Sequence, residues 1–242
     1  MDANFLAFMA EVDQKREEIK CSRSGAFFRG HSNGQFRLVP SLLRNTLHPD
    51  TEHNLFHECF ARANNLIARD STSWERLAFF QHYGIPTRLL DWTESFGVAL
   101  FFAIRDNPDC PHIWIVNAFR LNKSNDASEQ PRILMAGLDN LPDYHDCFVR
   151  IDNRIVWPYS KPIFLQIPWT TERVRAQSGF FTFHATNESI EETNPKYFRK
   201  VDIPAEAIAG ALKFLNNAGI NEYTVFPDFV GLAGFLRSRY RL

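Results

Sequence analysis

The chain has 242 residues, is 45% apolar and carries a formal net charge of -1, which argues against bulk electrostatic binding to nucleic acid or to an anionic membrane while leaving room for a local basic groove. Its four cysteines (Cys21, Cys59, Cys110, Cys147) are far apart and form no CxxC pair, so neither a zinc site nor a disulfide framework is expected. No apolar run reaches the roughly 20 residues that span a bilayer, and charges interrupt the N-terminal apolar residues, so a cytoplasmic protein without a signal peptide is expected.

In chain order, residues 3–20 read as an amphipathic helix, with Phe5, Leu6, Met9, Val12 and Ile19 near helical spacing. Gly25 ends it, and residues 26–31 read as a short buried strand followed by a Ser32-Asn33-Gly34 turn. Pro40 and Ser41 start a helical turn with Ser41 as N-cap. Helices are expected over 52–70 and from Ser73 to Gly84, the latter a C-cap glycine. Asp91 or Thr93 is expected to cap the next helix, from Glu94 to Arg105. Strands follow at 112–117, 161–167, 179–184 and 198–203, with residues 120–160 ambiguous between them. A helix is read at 205–217, an extended stretch at 223–226 and a final helix at 229–240. Helices lead and strands follow, which predicts one α+β domain on a mixed or antiparallel sheet, with residues 1–24 as an N-terminal helical segment and 25–242 as the domain proper.

The run Phe79-Phe80-Gln81-His82-Tyr83-Gly84-Ile85-Pro86-Thr87-Arg88-Leu89-Leu90-Asp91-Trp92-Thr93 sets polar groups among large apolar ones. Each buried polar group left unpaired costs roughly 1–3 kcal/mol, so these groups pair with one another, with backbone or with a ligand. His82 and Tyr83 are suited to stack on a planar ring, Thr87 and Thr93 to donate to a ligand, and Arg88 to pair with Asp91 or a phosphate; an internal network fixing a helix–loop–helix is the competing reading. In Phe28-Arg29-Gly30-His31, an Arg inside an apolar strand needs an anion, and Gly30 beside it admits close backbone approach. That anion is either a ligand phosphate or an internal acid, Asp91 or Asp228. Gln177 sits in a polar turn before an aromatic strand, as a turn residue or a pocket residue. Glu222 and Asp228 are late acids, with Asp228 also placed to cap the final helix. No dinucleotide-binding GxGxxG, phosphate-binding loop, GxSxG, HExxH or calcium loop occurs.

Phe28-Arg29-Gly30, Pro40-Ser41-Leu42-Leu43-Arg44, Gln81 through Thr93 and Ala99-Leu100-Phe101-Phe102-Ala103 together resemble the FRG domain family, as do Gln177-Ser178-Gly179-Phe180-Phe181 and Phe226 through Ala233. The resemblance covers residues 25–237 and implies a prokaryotic or phage-associated protein, a toxin or phage-defence effector among its expected roles. The aromatic-Arg-Gly strand is also similar to the first motif of Arg-Ser-Glu ADP-ribosyltransferases, although Ser-Thr-Ser and Glu-x-Glu strings are absent. That similarity implies an ADP-ribosyltransferase-like fold, NAD as substrate and a macromolecular acceptor. It implies Arg29 and Gly30 at the diphosphate, Tyr83 or Phe101 beside nicotinamide, and Thr87, Arg88 and Asp91 in the same pocket. Glu222 or Asp228 would then be the carboxylate, with His82 a further catalytic candidate. Two alternatives accompany this reading: a non-catalytic module recognising a nucleotide or nucleic acid, and a metal-dependent hydrolase or nuclease using Asp91, Asp228 and His82.

Overall fold

A computed structural model describes residues 2–21, 25–44, 49–63, 65–106, 108–125, 130–139, 141–146, 150–151, 154–155, 159 and 161–241. The architecture is α+β. Its strands are β1 (Ala26–His31), β2 (Leu89–Thr93), β3 (His112–Asn117), β4 (Leu134–Met135), β5 (Arg150–Ile151), β6 (Arg154–Ile155), β7 (Ile163–Gln166), β8 (Gly179–Phe183) and β9 (Phe198–Asp202). Seven of them form a mixed sheet in the order β4-β7-β8-β2-β1-β3-β9, parallel only between β4 and β7. β5 and β6 pair separately.

The helices are α1 (Ala3–Glu18), α2 (Pro49–Ala63), α3 (Ser73–His82), α4 (Phe96–Ile104), α5 (Ala118–Ser124), α6 (Glu172–Ala176), α7 (Ile190–Thr193), α8 (Ile208–Asn217), α9 (Glu222–Val225) and α10 (Phe229–Tyr240). Strand alternation divides the core. On one face, Phe28, Ile113, Ile115 and Val201 of the β1-β3-β9 half pack against α1, α4 and α8. On the same face, Leu89, Phe181, Phe183, Ile163 and Leu165 of the β2-β8-β7 half pack against Phe56 of α2 and Trp74, Leu77 and Phe80 of α3. The opposite face gathers Phe27, Leu90, Trp92, Val116, Phe164 and Phe180. α1 therefore belongs to the core: Phe5 and Phe8 are buried against it.

Several elements differ from the sequence reading. Residues 89–93 are a strand, not a loop between helices, because β8 supplies a full antiparallel partner from Leu89↔Phe183 to Thr93↔Gly179. Asp91 and Thr93 thus lie within β2, and Ser95 caps α4 by accepting from the Val98 amide. Pro40, not Ser41, precedes the 3-10 turn Ser41–Leu43. The helix read at 205–217 begins as a 3-10 turn and becomes α8 at Ile208. Residues 222–225 are helical, because Asn221 and Thr224 form a capping box. Asp228 does cap α10, accepting from the Gly231 amide at 2.8 Å. Part of the ambiguous 120–160 stretch, with Cys147, lies outside the described residues.

Two local features place the site. α3 starts on a Thr72/Glu75 capping box and ends in Gly84 at φ +85°. The Gly84 amide donates to the Gln81 carbonyl and the Ile85 amide to the Phe80 carbonyl, a Schellman closure that fixes the last turn carrying Gln81 and His82. Gly30 is demanded by packing: a Cβ there would lie 1.9 Å from the Ala99 carbonyl oxygen and 2.7 Å from the Ala103 nitrogen of α4. Its close approach is therefore to the protein's own helix, where the sequence reading gave it to a ligand. Gly30→Ala is expected to lower stability by about 2 kcal/mol or more, since backbone must move to admit the methyl. Urea unfolding measures this, and an unchanged midpoint contradicts the packing described.

Candidate functional site

β1 and β2 pair at a single register position, Phe28↔Thr93. Beyond that pair the ladder stops, and the strands leave a gap beneath the seam between the two helical groups on that face. A cavity of about 190 Å³ occupies this seam. Its sheet floor is Phe28, Arg29 and Gly30 of β1, Asp91 to Thr93 of β2, and Gly179 and Phe181 of β8. Its walls are Gln81 and His82 of α3, Val98, Ala99 and Phe102 of α4, and Arg173, Val174 and Gln177 of the α6 segment.

Arg29 spans the gap. Its Nη1 donates to the Asp91 carbonyl oxygen at 2.6 Å and lies 3.6 Å from Asp91 Oδ2. Its Nε donates to His31 Nε2 at 3.0 Å. The side chain keeps 18% of its exposure, and Nη2 makes no hydrogen bond to the described residues. Burial lowers the Arg29 pKa, and Asp91 opposes that shift. The guanidinium is thus neither sealed in nor fully paired. Because His31 accepts from Arg29, its proton resides on Nδ1, and burial with the neighbouring Arg29 charge depresses its pKa to about 2.

Asp91 is the carboxylate of the cavity. Gln81 Nε2 donates to Asp91 Oδ1 at 2.6 Å, and Thr87 Oγ1 donates to Gln81 Oε1. The chain Thr87–Gln81–Asp91–Arg29 therefore runs from α3 across β2 to β1. Asp91 remains 57% exposed at the side chain, so this acid faces both the protein and solvent. Thr93 donates from Oγ1 to the Gln177 carbonyl at 2.6 Å, and Gln177 Nε2 donates to the Val225 carbonyl.

The other candidates lie elsewhere. Arg88 pairs with neither Asp91 nor an open cavity: Glu52 takes it through Oε1 and Oε2 at 2.7 and 2.8 Å from Nε, and Nη1 donates to the His184 and Ala185 carbonyls. Tyr144 donates to the same Glu52 at 2.7 Å, which makes this a structural lock between α2 and β2. Thr87 is buried behind Gln81. Tyr83 is 67% exposed and stacks on His82 with ring centroids 4.5 Å apart, but does not line the cavity. Phe101 is buried against Phe102 and Phe226. Glu222 lies 3.4 Å from Arg105 Nη2, and Asp228 caps α10; neither lines the cavity. Among the described residues no group of three or more His, Cys, Asp or Glu side chains is placed to hold a metal ion, so Asp91, Asp228 and His82 form no such set.

Of the sequence candidates, the cavity brings together Arg29, Gly30, Gln81, His82, Asp91, Thr93 and Gln177. Sequence reasoning missed Arg173, one of two arginines in an exposed-looking turn, and missed the aromatic lining by Phe28, Trp92, Phe102 and Phe181. His82 has its Nδ1 buried with no hydrogen-bond partner, and burial followed by the Arg173 charge lowers its pKa.

Residues 24–110 match the family model of the FRG domain. Over that stretch the chain is similar to the FRG domain family. The match holds β1, α3, β2 and α4, hence Arg29, Gln81, His82 and Asp91; the FRG-like stretches at 177–181 and 226–233 lie beyond it. No curated protein and no solved structure matched the chain. No helix among the described residues is long and apolar enough to cross a membrane.

Two histidines next to this framework set a pH dependence. Burial, then the Arg29 and Arg88 charges, hold His184 near a pKa of about 3, and its Nε2 meets Thr182 Oγ1 at 2.9 Å. His31 and His184 fold neutral but unfold with ordinary pKa values near 6.5, so the unfolded chain binds more protons below that pH. Stability is complete above about pH 6.5 and falls as pH drops, by about 1.4 kcal/mol per unit for each histidine. Urea unfolding from pH 7 to 5 is expected to show a shallower decline for His184→Gln than for wild type. Parallel declines contradict this assignment.

Proposed function

We propose that the seam cavity of this FRG domain binds one end of a nucleotide, NAD foremost, and that the protein is an ADP-ribosyltransferase-like enzyme. The observation that carries the reading is Arg29: an arginine on the floor of an open, aromatic-lined cavity, with one guanidinium nitrogen unengaged by the described residues. An arginine fork is suited to phosphate, whose bonds to guanidinium are charge-assisted and directional. The volume lies below the roughly 300–1,000 Å³ of pockets that enclose whole ligands, so the cavity would take one ring and its linkage while the rest of a dinucleotide lies outside.

Further support comes from the order of elements. Arg29 on β1, Thr93 on the adjacent β2 and Gln177, the C-cap of α6 just before β8, come from three separate segments, the arrangement expected if three separate motifs serve one cleft. In ADP-ribosyl transfer the bond from ribose C1′ to the nicotinamide nitrogen breaks with its electron pair leaving on nicotinamide. The acceptor then adds at C1′ and loses a proton. A carboxylate near the oxocarbenium-like centre stabilises it. Asp91, which lines the cavity where Glu222 and Asp228 do not, would take that role in this reading. Arg29 would anchor phosphate, and Phe28, Trp92, Phe102 and Phe181 would exclude water from the ring.

One observation favours a second reading, recognition without chemistry. Asp91 already accepts from Gln81 and lies beside Arg29. The test is binding and turnover of NAD, with candidate acceptors present. Arg29→Ala is expected to weaken binding at least tenfold. Asp91→Asn is expected to bind NAD yet lose at least about 10²-fold in rate, with Glu222→Gln and Asp228→Asn close to wild type. Binding without turnover in wild type supports the recognition module; no binding of NAD ends the nucleotide reading.

A further inference from the structure

Arginine 173 carries an unexplained charge. It lies in α6, and its Nη1 donates to the His82 carbonyl at 3.2 Å. Its guanidinium packs over the Phe226 ring, 4.6 Å from the centroid. Among the described residues no carboxylate lies within ion-pair distance of it, although it lines the same cavity as Arg29. Leaving a half-buried cation without an anion is costly, and proteins accept that cost where a ligand provides the counter-charge.

Three further facts bear on it. Asp91 and Asp228 are the acids whose fields it feels, and both are engaged, Asp91 by Gln81 and Arg29 and Asp228 by the Gly231 amide. His82, beside it, has a buried Nδ1 without a partner. The cavity's charged lining is therefore two guanidinium groups against one carboxylate, with His82 uncharged near neutral pH. The surplus is positive inside a wall that is otherwise mostly apolar.

We propose that Arg173 is a second anion-binding residue of the cavity, so that the site selects a diphosphate-bearing ligand over a nucleoside or a nucleoside monophosphate. The proposal rests on the nucleotide reading above and deepens it. Arg29 on the sheet floor and Arg173 on the α6 wall would each receive one phosphate. Phe226 acts as a positioning residue, since its ring supports the Arg173 guanidinium and also meets the Arg105 guanidinium, 5.0 Å from its centroid.

The experiment titrates the full chain by calorimetry with adenosine, AMP, ADP, ADP-ribose and inorganic pyrophosphate. Wild type is expected to bind ADP and ADP-ribose at least tenfold more tightly than AMP. Arg173→Gln is expected to lose that tenfold step while its affinity for adenosine stays unchanged, and Arg173→Lys to recover part of it. Phe226→Leu is expected to lose part of the step in the same direction. Thermal melting of each variant reports folding, and Arg173→Lys keeps the comparison alive if Arg173→Gln unfolds. A diphosphate preference that persists in both Arg173 variants overturns the inference and leaves the nucleotide reading standing. Pyrophosphate binding that depends on Arg173, with no nucleotide bound, supports the anion site and sinks the nucleotide reading. No binding of any of these probes overturns both.

Discussion

The bond from the Arg29 guanidinium to the Asp91 carbonyl oxygen does two things at once. It gives a partner to a β2 backbone group at the point where the β1–β2 ladder ends, since those strands pair only at Phe28↔Thr93. It also holds a cation at the floor of the seam between the two helical groups. A continued ladder would close the gap and leave no cavity. A cation without the carbonyl and the Asp91 carboxylate beside it would be too costly to keep there. The rest of the site follows: Gly30 lets α4 sit against β1, the Schellman turn of α3 presents Gln81 and His82, and β8 carries the α6 turn over the opening.

The same sequence motif thus splits into two jobs. Gln81, Thr87 and Asp91 form a chain that ends on Arg29, within the cavity wall. Arg88, one residue from Thr87, points the other way and is taken up by Glu52 and two carbonyls with 11% of its side chain exposed. One motif therefore supplies both the lock that holds α2 to the sheet and the polar wall of the cavity.

Much of the fold was legible where the signal is local. The strands at 26–31 and 112–117, the Asp228 cap and the Gly84 helix end depend on neighbouring residues alone. Long-range pairing was not legible. Residues 89–93 read as a loop because their identity as a strand depends on β8, some 90 positions later. The Glu52–Arg88 pair joins residues 36 apart, and nothing in either neighbourhood names the other. In the site, Arg29 and Asp91 were legible because an arginine in an apolar strand demands an anion. Arg173 was not, because Arg173 and Arg175 look alike in sequence and only the path of β8 sets one against the cavity.

The central claim is that the Arg29 guanidinium is held open for a guest anion while Arg88 is committed to the fold. Nitrogen-detected or proton–nitrogen NMR of the arginine Nε–Hε groups during titration with ADP-ribose separates the two directly, with assignments from Arg29→Lys and Arg88→Lys. The expected result is a saturable shift of the Arg29 resonance with the Arg88 resonance unmoved. An Arg29 resonance that stays fixed while ligand binds elsewhere, or moves no more than that of Arg88, contradicts the account.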